Sequence, residues 1–150
     1  MLSIDTNAKV VAKSLGERSS RFLKQSDKAI QKVTAAIATH IKKRTLKGKD
    51  KNGRSFKPYA KSTISYKKKK GGKFFNGNVN LNDSGKMMSA IQSKRISASQ
   101  GKVYFTRSEE AVKASRHILG KGKMPKRDFF GLNKKETTRF IRSYKEMVNL

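Results

Sequence analysis

Gly120-Lys121-Gly122-Lys123-Met124-Pro125-Lys126-Arg127-Asp128-Phe129-Phe130-Gly131-Leu132 is the stretch whose reading decides this fold. It is a basic glycine turn, a Pro-x-Arg, two adjacent aromatics and a closing glycine. No catalytic arrangement is visible in it. It reads as a rigid corner that anchors a loop in a core and then launches a helix at Asn133. Glu136 stands three residues beyond Asn133, the spacing of a capping box with Asn in the first position. Phe140, Ile141, Tyr144, Met147 and Val148 then recur as the apolar face of a C-terminal helix.

Upstream of the corner, Gly120 ends a helix through Ala111, Val112, Ala114 and Ile118, with Glu109 and Glu110 at its positive N-terminal end. Residues 92–98 and 102–107 alternate around Gln100-Gly101 and predict a hairpin, with Ile96 on one strand and Val103 and Phe105 on the other. Asp83 or Ser84 can cap a short helix through Met87, Met88 and Ile91. Farther back, Phe22, Leu23, Ile30, Val33, Ala36, Ile37 and Ile41 recur at three- and four-residue steps. That periodicity predicts a long amphipathic helix from Ser19 or Ser20 to about Leu46. Residues 3–15 predict a separate short helix, with Gly16 as the break. The expected class is α+β: a long N-terminal helix packed on a small antiparallel sheet, with further short helices and a C-terminal helix. The 150 residues suit one domain, of which residues 1–47 are the helical N-terminal part.

Charge is the second strong signal. The chain carries 37 Lys and Arg against 10 Asp and Glu, a net +27. Such a surface repels its own copies and attracts polyanions. Leu, Ile, Val and Phe together number 32 of 150, so the core is small and stabilisation by partners, anions or self-assembly is expected. Residues 42–73 hold 14 of the cations and one acid, Asp50. Within them, Asp50-Lys51-Asn52-Gly53 is a turn signal. Phe56-Lys57-Pro58-Tyr59 reads as an anchored loop. Ser62-Thr63-Ile64-Ser65-Tyr66 fits a short helix or a strand. Residues 64–82, rich in Lys, Gly and Asn, read as a flexible loop.

Several chemistries are excluded or poorly supplied. With no cysteine there are no disulfides or thiolate metal sites. No apolar run approaches a membrane span, and the N-terminus lacks the marks of a secretory signal, so a soluble protein made in a cytoplasm is expected. The Asp50 turn has its glycine at the wrong place for a calcium loop and Lys61 where the last ligand belongs. His117 and His40 lack companions for a metal site, and His117 reads as a structural hydrogen-bonding residue near Gly120. Ten scattered acids do not make a nuclease. Arg107, Arg116, His117, Arg127 and Tyr144 do not have the spacing of a tyrosine recombinase. No cofactor is expected, and no enzyme.

Four blocks carry a family resemblance. Gly48-Lys49-Asp50-Lys51-Asn52-Gly53-Arg54-Ser55-Phe56-Lys57-Pro58-Tyr59, followed by Ser62-Thr63, is similar to Asp-x-x-Gly-x-x-(aromatic)-x-Pro-(aromatic or Leu)-x-x-x-Thr. Leu81-Asn82-Asp83-Ser84-Gly85-Lys86-Met87 is similar to Leu-x-x-(Thr or Ser)-Gly-x-(Leu or Met). Ala114-Ser115-Arg116-His117-Ile118-Leu119-Gly120 is similar to Tyr-Ala-x-x-His-x-x-Gly, with Lys113 in place of the tyrosine. Met124-Pro125-Lys126-Arg127-Asp128-Phe129-Phe130-Gly131 is similar to (Ile or Met)-Pro-x-Arg-x-Phe-(Leu or Phe)-Gly. In this order, over residues 48–150, the chain resembles the phage virion morphogenesis and tail completion proteins.

The resemblance implies a structural virion protein of the tail or neck, assembled in the host cytoplasm. It would complete the tail and join it to the DNA-filled head as part of a homo-oligomeric ring, with six subunits as one expected order. Its neighbours would be neck, connector, tail terminator or tail tube proteins, with non-specific contact to packaged DNA and no membrane. Pro125, Arg127, Phe129, Phe130, Phe56 and Tyr59 are then candidates for a subunit or partner interface. The bland alternative puts Phe129 or Phe130 in the core and pairs Arg127 with an acid such as Glu109. Lys67, Lys68, Lys69, Lys70 and Lys73 are candidates for DNA or an acidic partner, against a solvated loop as the plain reading. The competing function is a stand-alone nucleic-acid-binding protein that acts through charge alone.

Overall fold

A computed structural model describes residues 5–70 and 77–149. The order of elements is α1 (Asp5–Leu46), α2 (Lys61–Lys69), α3 (Lys86–Ala90), β1 (Ile91–Ser97), β2 (Gln100–Phe105), α4 (Ser108–Leu119) and α5 (Lys134–Val148). The two strands form one antiparallel sheet. The expected α+β arrangement, a long helix on a small sheet with short helices and a C-terminal helix, is what the chain adopts.

Helix α1 is continuous over 42 residues, so the expected break at Gly16 does not occur. One interior glycine costs a helix about 1 kcal/mol relative to alanine, and Gly16 is flanked by good helix formers. From Ser26 onward α1 buries one stripe, comprising Ser26, Ala29, Val33, Ala38, Ile41 and Thr45. The hairpin lies across this stripe. Ser26 Oγ donates to the Ala98 carbonyl at 2.6 Å, and Arg95 pairs with Asp27. Gly101 is pressed so closely on Thr34 that a Cβ there would have no room.

The strands pair from Ile91 with Phe105 to Arg95 with Gly101, and the register shifts between Arg95 and Ser97. That bulge leaves Ile96 exposed, so it adds little to the core. Ile91 and Phe129 are fully buried. With Ala38, Ile41, Phe56, Leu81, Met87, Met88 and Ala114 they make a core drawn from nearly every part of the chain. The short helix α3 is not capped by Asp83 or Ser84. Gly85, in the left-handed region at φ 77°, precedes it without a side-chain cap.

Helix α5 runs beside α1. Its start is the predicted capping box: the Asn133 side chain accepts from the Glu136 amide at 2.8 Å, and the Asn133 amide donates to Glu136 Oε2 at 3.1 Å. Only part of its apolar face is used. Val148 is buried and Phe140 and Tyr144 are half-buried, whereas Ile141 and Met147 face solvent.

The loop expected over residues 64–82 is corrected at both ends. Residues 61–69 are helical, and Asn80 and Leu81 are buried. The reason is Lys67. Its ammonium donates to the Asn82 carbonyl at 2.8 Å and lies 3.7 Å from Asp83, which ties α2 to the segment before α3.

Candidate functional site

The four sequence blocks meet in one place. Arg127 stands at its centre, 4% exposed. Its backbone amide donates to the His117 carbonyl at 2.7 Å. Its Nη2 donates to the Lys57 and Pro58 carbonyls at 3.1 and 3.3 Å, and its guanidinium lies 5.2 Å from the Tyr59 ring centroid. The Tyr59 hydroxyl accepts from the Leu81 amide at 3.1 Å, and the Lys67 ammonium lies 5.1 Å from the same ring. Residues from all four blocks are therefore joined through two residues, Arg127 and Tyr59.

A second buried arginine closes the corner from the other side. Arg44 Nη2 donates to the Phe129 and Gly131 carbonyls, both at 2.7 Å, and Nη1 donates to Glu136 Oε2 at 2.6 Å. His40 Nε2 meets Glu136 Oε1 at 2.6 Å. Arg139 reaches His40 Nδ1 at 3.2 Å, so the Nε2 proton is the one offered to Glu136. Burial acts to raise the Glu136 carboxyl. The hydrogen bonds from His40, Arg44 and the Asn133 amide, with the Arg44 charge, outweigh it and hold the group below its ordinary value. His117 is held below the ordinary imidazole value, first by burial and then by the nearby Arg127 charge. It is a neutral structural residue at neutral pH.

The Asp50 loop locks onto the same corner. Asp50 Oδ1 accepts from the Asn52 and Arg54 amides, both at 2.8 Å, as a turn requires. Lys51 binds Asp128 twice, amide to carbonyl and ammonium to carboxylate, each at 2.8 Å. Gly48, at φ 75°, and Gly120, at φ 69°, permit backbone approaches that a Cβ would block, to the Val79 carbonyl and the Lys126 backbone respectively.

These contacts correct the expected interface. Arg127, Phe129 and Phe56 are buried within their own subunit, and no partner can reach them directly. Arg127 satisfies backbone carbonyls rather than Glu109. Pro125, Tyr59 and Phe130 are partly exposed at the rim, where Phe130 packs on Phe105 with ring centroids 5.0 Å apart. The lysine cluster divides. Lys67 is buried and cannot meet phosphate. Lys68 and Lys69 are exposed, while Lys70 is shared between the Tyr66 hydroxyl at 3.0 Å and Asp83 at 3.4 Å. Lys73 lies outside the described residues.

Two features, one outward and one buried, did not come from sequence reasoning. One is an open groove of about 500 Å³ beside α5, lined by Lys135, Glu136, Thr138, Arg139 and Arg142. Glu136 is already engaged by Arg44 and His40, so the three rim cations carry its charge. The helical spacing of Lys135, Arg139 and Arg142 was the available signal. The other is Arg44, which sits on the apolar stripe of α1 at the step after Ile41. A cation on a buried stripe is itself a sign of a buried acceptor. Among the described residues no group of three His, Cys, Asp or Glu can hold a metal ion, and no helix is long and apolar enough to cross a membrane.

No known family, curated protein or solved structure matches the chain.

Proposed function

We propose that this chain is a tail completion protein of a tailed bacteriophage, a ring component that joins the tail to the filled head. The observation that carries the reading is the convergence on Arg127 and Tyr59 of all four blocks on which the resemblance to that family rests. Motifs spread over residues 48–131 that tie one corner are read most simply as the signature of a fold, not of a catalytic site. A protein that bound polyanions by charge alone would not need this corner. Deleting the gene from the phage that encodes it should leave DNA-filled heads and separate tails in the electron microscope. Normal joined, infectious particles would reject the role.

The groove beside α5 favours a second role within the same setting. Its three exposed cations, none of them ion-paired among the described residues, form an electrostatic track on which a phosphate backbone can rest without sequence reading.

A further inference from the structure

Helices α1 and α5 lie antiparallel, because His40 meets Glu136 and Ser26 meets Tyr144. Arg139 reaches His40 Nδ1 at 3.2 Å across one edge of the seam between them, which fixes the side that each helix turns to that edge. On α5, Lys135 stands four residues before Arg139 and Arg142 three after it, so all three share that side. On α1, Lys32 and Lys43 stand about 80° and about 60° round the helix from His40, on the side away from the hairpin. Lys32 falls between the Ser26 and His40 anchors, as Arg139 and Arg142 fall between Tyr144 and Glu136. Lys43 and Lys135 both lie just beyond the His40–Glu136 anchor. The groove beside α5 thus has a second bank on α1.

All five cations are exposed, and none is ion-paired among the described residues. The acids nearby are spoken for or peripheral. Asp27 is on the opposite edge of α1, paired with Arg95 of the hairpin, and Glu136 is engaged by Arg44 and His40. Glu146, four residues past Arg142, closes the face at its far end. Arg139 is also held in place before any ligand arrives. Its guanidinium lies 4.8 Å from the Phe140 ring centroid and donates to His40, so part of the ordering cost of binding is already met. A guanidinium has five N–H donors, and the contact with His40 uses one of them.

We propose that this two-banked face seats a DNA duplex across its minor groove, with Lys135, Arg139 and Arg142 on one phosphate backbone and Lys32 and Lys43 on the other. The inference rests on the groove reading above and names its occupant. Packed helices stand about 8–10 Å apart. The minor groove of B-DNA, about 6 Å wide, brings two backbones within reach of both rows, and the major groove, at about 12 Å, holds them farther apart. The α5 row extends about 10 Å, the length of three phosphates of one strand at about 3.4 Å each. A single strand has one backbone and can satisfy only one row at a time. Two rows at a fixed spacing also match two continuous lines of phosphate better than the scattered carboxylates of an acidic protein. Contacts to backbones alone carry no sequence information, so the binding is independent of sequence.

The test uses the full chain with a duplex of about 20 base pairs and, separately, one of its strands, each titrated across a salt series. Every substitution falls at an exposed site, so melting should be unchanged. Lys32→Ser with Lys43→Ser should lower the duplex salt slope by up to about 1.8, at roughly 0.9 per phosphate, and leave the single-strand slope nearly unaltered, because the α5 row still serves one strand. Lys94→Ser with Lys102→Ser removes equal charge from the paired strands of the hairpin, at the other edge of α1, and should change the duplex slope far less. A slope that Lys135→Ser, Arg139→Ser and Arg142→Ser together leave unchanged rejects the groove itself, and the inference falls with it. A slope lowered by those three but not by Lys32→Ser with Lys43→Ser keeps the groove and rejects the second bank. Equal losses on duplex and single strand, or equal losses from the hairpin pair, would overturn the duplex as occupant. So would displacement of the duplex by polyglutamate of matched charge as readily as by more duplex.

Discussion

Phe129 and Arg127 show how one short stretch divides its work. Phe129 is fully buried in the core, and Arg127 turns inward two residues earlier to donate to the Lys57 and Pro58 carbonyls. Truncation of the first removes a whole ring from the core. Phe129→Ala should cost about 3–5 kcal/mol in urea unfolding, a large part of the stability of so small a core. A loss below about 1 kcal/mol would mean that the core closes around some other side chain. Aromatic adjacency and Pro-x-Arg made the corner legible in the sequence. The inward turn of Arg127 was not, because its acceptors are backbone carbonyls of Lys57 and Pro58, and carbonyls have no letter in a sequence. The same applies to Lys67. Four consecutive lysines look like a solvated run, and contacts distant in sequence, the Asn82 carbonyl, Asp83 and the Tyr59 ring, separate one of them from the rest.

Among the elements, α5 depends on a single carboxylate. Glu136 caps its own helix through Asn133 and pins that helix to α1 through Arg44 and His40. Its folded-state pKa is depressed, so its contribution is complete above the unfolded value near 4.5 and is lost as pH falls through the lower folded value. Glu136→Gln should remove about 2 kcal/mol at neutral pH and flatten the loss of stability on acidification below about pH 4.5. Denaturant melts of both proteins between neutral and acid pH measure it, and parallel curves would show that Glu136 contributes no pH dependence. His117 acts in the window above. Its folded pKa is also depressed, so below about 6.5 the unfolded chain takes up a proton that the folded chain resists, and stability declines. The capping box and the helix periods were readable from sequence because they are local. Gly16 misled because a glycine inside a helix is a cost of about 1 kcal/mol, which a long helix absorbs.

For the whole molecule, the distribution of charge matters more than its sum. Net +27 gives general attraction to polyanions, but contact needs cations that are exposed and not ion-paired with an acid. Lys135, Arg139 and Arg142 line one groove, whereas Lys67 is buried and Lys70 faces Asp83. Replacing Lys135, Arg139 and Arg142 together by Ser should reduce the salt slope of duplex DNA binding by up to about 3, at roughly 0.9 per phosphate contact. Titrations across a salt series provide the check, and an unchanged slope would remove the groove from any DNA track. Lys67→Ser should instead loosen α2 and leave the slope nearly unaltered.

The pairing of α1 with α5 also has a history in time. Ser26 meets Tyr144 across 118 residues of sequence, and His40 meets Glu136 across 96. On a ribosome adding about 5–20 residues per second, α1 is complete seconds before the hairpin that lies across it, and longer still before α5, exists. For that interval its apolar stripe is bare and adhesive. The nascent chain is then a natural client for chaperones, and the lysines beside the stripe add like-charge repulsion between exposed copies until the cover arrives.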